Sequence, residues 1–307
     1  MMITTIYRYQ SLIDFVTIYW VMIMFTDPML LDEVHVPYES DLHIAELKID
    51  GIRGIIGKES RTRIYSRHQN EITSRFEEIT EAATAAIDSG TKLDGEIVVC
   101  DTSTGKPDFA ATMARFQSTR QKMITPGLCF VAFDILAYKG KDTTVLPLMQ
   151  RKALLEEAVK ENEFIKRIRY VEQGFIPLYE QCREQELEGI VLKRRDSLYY
   201  KGKRPRGIWQ RVVVYNREEC IVTGFSKKTQ AWSIGVERDG KIIPVGLLEY
   251  GLNTPIGKAT FPFLKKAAIR ETKDFVYVEP FVKIEVRFRH WTKAGKLRLS
   301  VLEKVIV

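Results

Sequence analysis

The octapeptide at positions 46–53 reads Glu-Leu-Lys-Ile-Asp-Gly-Ile-Arg, and it decides how the chain is interpreted. If this segment is extended, residues two apart point to the same side, so Glu46 and Lys48 share one face. Gly51 lets the backbone turn sharply or approach a ligand closely. Arg53 carries a planar cation that suits phosphate. A lysine in this setting can be a covalent nucleophile, whereas the alternative is a charged strand that ends in an Asp-Gly turn.

The net positive charge of the chain lies in its last 94 residues. The whole chain has 47 Lys and Arg against 40 Asp and Glu, a formal net charge of +7. Val214–Val307 contains 17 basic and 10 acidic residues, and the preceding 213 residues contain 30 of each. A basic segment beside a neutral one favours a polyanionic partner, most simply nucleic acid.

Length and cysteine content limit the class of protein. With 307 residues, 45% of them apolar, the chain is long enough for two domains with real cores. Its four cysteines are far apart and form no Cys-x-x-Cys pair, which argues against a zinc site or a disulfide framework and predicts a reducing, cytoplasmic location.

The N-terminus carries a 14-residue apolar run, Leu12–Phe25, that contains one acid. The run is shorter than the roughly 20 residues needed to span a bilayer, and it lacks the features of a secretory signal, so no membrane association is predicted. It is either an extra buried or interfacial helix or part of an upstream extension. We favour Met24 as the biological start, which makes residues 1–23 an extension that need not be native.

The apolar pattern predicts an α+β protein in two domains, 24–213 and 214–307. In the first domain, strands are predicted at 43–48, 54–57, 63–66, 93–100, 129–136 and 189–193, and helices at 71–89, 109–122, 148–162 and 178–187. In the second domain, strands are predicted at 220–225, 231–237, 242–247, 276–279 and 281–290, with one helix at 261–270. Several short strands with one helix fit a small barrel.

Two segments that follow the octapeptide combine charge with predicted strands. Ser66-Arg67-x-x-Asn70 ends a predicted hairpin. Taken by itself, this segment indicates only that Arg67 is a surface residue. Asp94-Gly95-Glu96 precedes Ile-Val-Val, which predicts a turn with Glu96 at the head of a buried strand. A carboxylate in that place can hold a ribose hydroxyl or a metal, and the alternative is an ordinary hairpin corner.

Three later segments continue the pattern. Phe133 is followed by Asp134 in a strand that is otherwise apolar, a combination that is unusual for a core and common at sites. Glu188 and Lys193 bracket an apolar strand, which suits a site for phosphate and metal. From Lys193 to Arg211 there are eight basic residues and one acid, so this segment is either a solvated loop or a meeting place of nucleic acid and nucleotide phosphate.

In their order and approximate spacing, these segments resemble the motifs of the covalent nucleotidyltransferases: DNA ligases, RNA ligases and mRNA-capping enzymes. From about Met24 to its end, the chain most resembles the compact ATP-dependent DNA ligases of bacteria and their phages. An NAD-dependent ligase is disfavoured because the chain lacks a four-cysteine zinc finger. The resemblance implies an adenylation (nucleotidyltransferase) domain of antiparallel sheets with helices, followed by a small OB-fold β-barrel closed by a strand at Trp291–Arg298.

The resemblance also implies a reaction in three steps. Lys48 attacks the α-phosphorus of ATP as a neutral amine, AMP passes to the 5′-phosphate of a nick in duplex DNA, and the 3′-hydroxyl expels AMP. Glu96 and Glu188 hold Mg²⁺ or Mn²⁺, and Phe133 stacks on adenine. Glu46 lies beside the amino edge of adenine and contacts it through its backbone. The expected nucleotide-binding residues are Glu46, Arg53, Arg67, Glu96, Phe133, Lys193, Arg204 and Arg211.

The expected partner is nicked double-stranded DNA, bound by a monomer. The residues predicted to contact it are Lys201, Lys203, Arg206, Lys227 and Lys228. Arg204 and Arg206 remain alternatives for the arginine that precedes the tryptophan of the last motif.

Two departures from the family pattern keep other functions open. Arg211 and Val213 stand where the family has two lysines, and a final Arg-x-Asp-Lys motif is absent from the C-terminal end, where Lys304 is a substitute base. The alternatives are therefore an RNA ligase or capping-type enzyme, or a catalytically weak nick-binding protein.

Overall fold

The computed structural model describes residues 25–118, 125–292 and 294–306. The chain divides into two compact units, one that ends at Val213 and one that begins at Val214. The fold is mixed α+β, with curled sheets and few helices. The predicted extension 1–23 lies outside the described residues. Among those that are described, none of the helices is long and apolar enough to cross a membrane.

The first unit contains eleven strands and four α-helices in its described part. The strands are β1 Asp32–Val34, β2 His43–Leu47, β3 Ile52–Lys58, β4 Thr62–Ser66, β5 Thr91–Val99, β6 Leu128–Tyr138, β7 Lys141–Asp142, β8 Ile165–Arg167, β9 Tyr170–Val171, β10 Gly189–Arg194 and β11 Trp209–Val213. The helices are α1 Glu77–Ala86, α2 Phe109–Gln117, α3 Leu148–Ala158 and α4 Phe175–Glu184.

Two sheets organise this unit. One has the order β1-β11-β10-β2-β9, and the other has the order β4-β3-β5-β6-β7, with β8 beside β6. The main core packs α1 and α3 against the second sheet, through residues such as Phe76, Ile97 and Leu155. A smaller cluster that includes Met29 and Trp209 joins strands of both sheets.

The second unit contains seven strands and one helix in its described part: β12 Asn216–Ser226, β13 Trp232–Arg238, β14 Lys241–Leu248, α5 Pro255–Lys266, β15 Ala268–Glu271, β16 Phe275–Val278, β17 Lys283–Phe288 and β18 Val301–Ile306. The strands form one antiparallel sheet with the order β14-β13-β12-β16-β15, and β17 joins both β12 and β18. Its core includes Trp232, Ile284 and Phe288.

The strands predicted for both units are confirmed within a few residues, but several helix boundaries were wrong. The helix predicted at 71–89 begins only at Glu77, because Glu71 bridges to Tyr65 and a 3₁₀ turn occupies Thr73–Arg75. The helix predicted at 261–270 is α5, which begins six residues earlier. The missed signal was Thr254 followed by proline, since the Thr254 hydroxyl accepts a hydrogen bond from the amide of Gly257 and caps the helix.

Three other helix predictions were displaced at their ends. The helices predicted at 148–162 and 178–187 end at Ala158 and Glu184. The helix predicted at 109–122 ends at Gln117, and positions 119–124 lie outside the described residues.

The turn predicted at Asp94-Gly95-Glu96 was wrong, because these residues lie in the middle of β5. Gly95 serves close packing: a Cβ there would lie 2.3 Å from Cζ of Phe130 on the neighbouring strand. The glycine therefore marks a tight contact between strands.

The closing strand predicted at Trp291–Arg298 was also wrong. Hydrogen bonds from the amide of Thr292 to the carbonyl of Lys296, and from the amide of Gly295 to the carbonyl of Thr292, make this segment a turn. The last strand is instead β18. Gly295, which has a φ of 66°, provides the conformation that such a turn requires.

Candidate active site

A cleft of about 200 Å³ in the first unit is lined by residues from both of its sheets. One face of the paired strands β2, β10 and β11 supplies much of its wall, since Glu46, Val191 and Arg211 lie opposite one another in register. The structure brings together at this cleft all nine residues predicted for catalysis and nucleotide binding: Glu46, Lys48, Arg53, Arg67, Glu96, Phe133, Lys193, Arg204 and Arg211. The cleft is also lined by residues that were not among the predicted site residues: Leu30, Leu31, Ile168, Val191 and Trp209.

Lys48 lies just beyond the end of β2 and faces Glu188, which precedes β10. The Lys48 ammonium donates to Oε2 of Glu188 at 2.7 Å, and the side chains are only 19% and 11% exposed. The amide of Lys48 also donates to the carbonyl of Gly189 at 2.8 Å, which continues the pairing of the two strands. This pairing explains how two residues that are 140 positions apart meet at the cleft.

Glu96 faces the same region from β5. Burial raises the pKa of its carboxyl to about 8, opposed by the cations of Lys48 and Arg53. Gly51 allows the close packing around it, because a Cβ there would lie 2.9 Å from Cγ of Glu96 and 2.3 Å from the carbonyl oxygen of Ile97. These contacts show that Gly51 packs closely against a neighbouring strand, and they test neither the sharp turn nor the close approach to a ligand that were predicted for it.

Glu96 and Glu188 are the carboxylates predicted to hold a metal. Among the described residues, no group of three or more His, Cys, Asp or Glu side chains could hold a metal ion. Two carboxylates still suit Mg²⁺ or Mn²⁺, since Mg²⁺ commonly takes one or two carboxylates and completes its shell with water and substrate phosphate. Because the raised pKa of Glu96 favours its protonated form, a bound cation would stabilise the carboxylate.

Arg53 was expected to meet an anion such as phosphate, but its anionic partner here is Asp94. Its Nε and Nη2 donate to the two carboxylate oxygens at 3.0 and 2.6 Å, and its Nη1 donates to the carbonyl of Met29 at 2.7 Å. Burial opposes the charge, but Asp94 overcomes this and raises the pKa of Arg53. Tyr199 donates to the same carboxylate at 2.6 Å. Arg53 thus reaches the cleft as part of a closed ion pair.

A second buried group links three charged side chains. The two carboxylate oxygens of Glu46 are divided between Lys152 and Lys193, with Nζ of Lys193 at 2.7 Å. Burial lowers the pKa of Lys193 to about 8, and the attraction of Glu46 only partly opposes this shift. Lys152 was missed by the sequence reasoning. The available signal was a pair of basic residues, Arg151 and Lys152, on the same helix face as the buried Leu148 and Leu155.

Phe133 and Trp209 form the aromatic part of the cleft. Their rings are 6.2 Å apart and nearly perpendicular. Nζ of Lys193 lies 4.5 Å from the centroid of Phe133 and 4.0 Å from that of Trp209, within the range of cation–π attraction. Nε1 of Trp209 is buried and has no hydrogen-bond partner among the described residues.

Asp134, which had suggested a site, does not line the cleft. It forms a bidentate pair with Arg151, with distances of 2.8 and 2.9 Å, and both side chains are fully buried. Burial opposes ionisation, but Arg151 overcomes this effect and keeps the pKa of Asp134 low. The carboxylate that looked functional in the sequence is therefore a structural residue.

The arginines of the late basic segment have different surroundings. Arg204 lines the cleft, whereas Arg206 does not. Arg211 pairs with Glu33 of β1 at 2.7 Å. Val213, at the position of the second family lysine, is buried at the end of β11. The described cleft therefore has no cation at that position.

The residues predicted to bind DNA belong to both units. In the first unit, Lys201 pairs with Asp142 at 2.8 Å, and Lys203 and Arg206 are exposed. In the second unit, Lys227 and Lys228 are exposed beyond β12, and Lys227 pairs with Glu271 at 2.7 Å. Lys304, the substitute base, is an exposed residue of β18 and lies 3.3 Å from Glu285.

Comparisons with known proteins bear on this site. The family model for the ATP-dependent DNA ligase domain matches residues 28–211. The chain is 33% identical over 281 residues to the SPbeta prophage-derived DNA ligase-like protein LigB of Bacillus subtilis (strain 168), a match that covers 91% of this chain and 98% of LigB.

Solved structures show the same fold. The crystal structure of the ligase domain of M. tuberculosis LigD matches with a TM-score of 0.55 and 24% identity, covering 92% of this chain and 95% of that one. A structure from a study of Lig E DNA ligases matches with a TM-score of 0.62 and 16% identity, covering 92% and 100% of the two chains.

Proposed function

Because the chain belongs to the family of ATP-dependent DNA ligases, we propose that Lys48 is the residue that becomes linked to AMP. The observation that carries this assignment is the position of Lys48, which lines the same cleft as the eight other residues expected to bind the nucleotide. Its contact with Glu188 at 2.7 Å holds the amine at the edge of that cleft.

In the first step, the Lys48 nitrogen bonds to the α-phosphorus of ATP, and the bond from that phosphorus to pyrophosphate breaks. The amine must first lose a proton, because only the free base has the electron pair for the attack. Negative charge then develops on the phosphate oxygens and on the leaving group. Lys193, Arg204 and Arg211 all line the cleft and are the cations proposed to stabilise this charge.

The base of the nucleotide is proposed to stack on Phe133, whose ring forms part of the cleft wall. Trp209 packs edge-on against Phe133 and keeps that ring in place. Arg67, which is exposed at the rim of the cleft, is proposed to contact the sugar or a phosphate. Arg53 is proposed to fix the shape of the site through its ion pair with Asp94 and through the hydrogen bond from its Nη1 to the carbonyl of Met29.

Glu96 and Glu188 are proposed to hold Mg²⁺, with Mn²⁺ as a substitute. When bound, such a cation neutralises phosphate charge during the transfer. The two residues would supply carboxylate oxygens, which are the hard ligands that these ions prefer.

The substrate is proposed to be duplex DNA with a nick that carries a 5′-phosphate and a 3′-hydroxyl. AMP passes from Lys48 to the 5′-phosphate, and the 3′-hydroxyl then attacks that phosphorus and expels AMP. We assign the second unit as an OB-fold that binds the duplex through phosphate contacts, including Lys227 and Lys228. Lys201, Lys203 and Arg206 are the contacts proposed for the first unit. A monomer in the cytoplasm is the proposed working state.

The test is incubation of the purified protein with α-labelled ATP and Mg²⁺, followed by a denaturing gel and a nick-sealing assay. The native protein should retain label and seal nicks, and Lys48→Ala should do neither. If the native protein gains no label, intact mass shows whether it was purified with one adenylyl group already attached. A protein that carries no adenylyl group, gains no label and still binds nicked DNA would support the nick-binding alternative, which the buried Val213 favours.

A further inference from the structure

Lys152 lies behind the cleft wall and does not line the cleft. It belongs to the buried face of α3, and its side chain is only 4% exposed. Its ammonium donates to the backbone carbonyl of Phe133 at 2.8 Å and contacts Oε1 of Glu46. Any influence of Lys152 on a bound nucleotide must therefore pass through these neighbours.

Two buried ammonium groups share a single carboxylate. Lys152 takes one oxygen of Glu46, and Lys193 takes the other at 2.7 Å. Lys193 and Glu46 are both only 2% exposed. The nearby pair of Asp134 and Arg151 is balanced and cancels none of the surplus. The group therefore carries one net positive charge when all three side chains are ionised.

A surplus charge in a protein interior is costly, because the ion has lost water and lacks a full partner. A balanced pair of Glu46 and Lys193, with an apolar residue at position 152, would avoid that cost. Of the two lysines, only Lys193 lines the cleft. The surplus positive charge therefore reaches the cleft through Lys193, which is one of the residues proposed to contact a nucleotide phosphate.

We infer that Lys152 is a positioning residue for the phosphates of ATP: by occupying one oxygen of Glu46, it leaves the Lys193 ammonium incompletely neutralised and free to attract phosphate. This inference rests on the proposed function. Burial lowers the pKa of Lys193, and the charge of Lys152 adds to that shift, which agrees with an ammonium that lacks a full counter-charge. An arriving phosphate would provide the missing negative charge.

The experiment compares three variants of Lys152 with a matched control. Lys152→Met removes the charge and the donor, Lys152→Gln removes the charge but keeps a donor for the Phe133 carbonyl, and Lys152→Arg keeps both. Lys160→Met is the control, since Lys160 is an exposed lysine just beyond the same helix. For each protein, the KM for ATP and the rate of label uptake are measured, together with inhibition by adenosine, which has no phosphate.

The expected result is a loss that depends on phosphate. Lys152→Met and Lys152→Gln should raise the KM for ATP, or lower the rate of labelling, by about tenfold or more, because a unit charge is lost close to Lys193. Inhibition by adenosine should change by less than about twofold. Lys152→Arg and Lys160→Met should behave as the native protein does.

Two results would overturn the inference while leaving the proposed function intact. One is native labelling and ATP affinity in a folded Lys152→Gln or Lys152→Met protein. The other is an equal loss of ATP and adenosine binding, which would mean that Lys152 acts only on the shape of the base site through Phe133. Failure of the native protein to take up label would instead contradict the proposed function. If Lys152→Met does not fold, Lys152→Gln and Lys152→Arg still decide the question.

Discussion

Two groups of buried charges in the first unit differ in their balance. Asp134 and Arg151 form a closed pair that lies away from the cleft, and every charge in it has a partner. Glu46, by contrast, serves two lysines, one of which lines the cleft. The balanced pair belongs to the scaffold, and the unbalanced group belongs to the site. A buried charged residue that lacks a full counter-charge is therefore a candidate functional residue. A substrate of opposite charge can supply the missing counter-charge, and this stabilises the buried residue and the bound substrate together.

The largest expected effect comes from breaking the balanced pair. Asp134→Asn leaves Arg151 as a buried cation without a counter-charge, and we expect the free energy of unfolding to fall by about 3–5 kcal/mol. The measurement is chemical denaturation. The control is Asp142→Asn, which removes an exposed carboxylate paired with Lys201 and should cost less than about 1 kcal/mol. Equal losses in the two variants would contradict the structural role assigned to Asp134.

Removing a charge from the unbalanced group should affect activity more than stability. Lys193→Met leaves Glu46 paired with Lys152 alone, so the cost of the surplus charge disappears, but the cation–π contacts of Lys193 with Phe133 and Trp209 are lost. Because these two changes oppose each other, we expect the free energy of unfolding to change by less than about 1 kcal/mol. The rate of label uptake should fall by about 10²-fold, because the cation proposed to stabilise the transferred phosphate is lost. Denaturation and labelling of the same preparation check both statements. A loss of stability as large as that of Asp134→Asn would remove the distinction between the two groups.

A smaller effect is expected from the pH dependence of stability. The pKa of the Glu96 carboxyl is raised from its ordinary value of 4.5 to about 8, so the folded protein binds a proton that the unfolded chain releases between these values. The free energy of unfolding should therefore fall as the pH rises from about 5 to 8 in the absence of divalent metal. Glu96→Gln should flatten this decline and should be more stable than the native protein near pH 8. Parallel curves for the two proteins would show that Glu96 is not the group responsible.

The smallest effect concerns an exposed pair. Lys201→Ala removes the partner of Asp142, and both side chains are about half exposed, so stability should change by less than about 1 kcal/mol. If Lys201 contacts a DNA phosphate, the salt dependence of binding to a nicked duplex should lose about one unit of slope. A filter-binding titration at several salt concentrations measures that slope, with Lys160→Ala as the control. Identical slopes in both variants would remove Lys201 from the proposed DNA surface.

The mixed α+β class could be predicted from the sequence because apolar strands and helices are local patterns. The gathering of the site residues was implied by the resemblance of their motifs to those of the nucleotidyltransferases. Lys48 and Glu188 were both assigned to the site by the resemblance of their motifs, and the strands that they border pair in the structure. Each motif could be recognised by itself, and the order of the motifs along the chain indicated the family.

What the sequence did not reveal depends on contacts between distant residues. Gly95 looked like a turn glycine, because the Phe130 ring that requires it is 35 residues away. Arg53 looked free for phosphate, because Asp94 is on another strand. Lys152 has no motif around it, and its importance comes from a partner more than 100 positions earlier in the chain. The sequence does not distinguish a charged side chain whose charge is neutralised by a distant residue from one whose charge is not.

The most direct test of the central claim is to locate the adenylyl group itself. After incubation with ATP and divalent metal, the protein is digested under conditions that preserve a phosphoramide, and its peptides are analysed by mass spectrometry. We expect one adenylyl group on the peptide that contains Lys48, and we expect that group to be released as nicked DNA is sealed. An adenylyl group on another lysine, such as Lys193, would contradict the assignment of the nucleophile and the functions that follow from it.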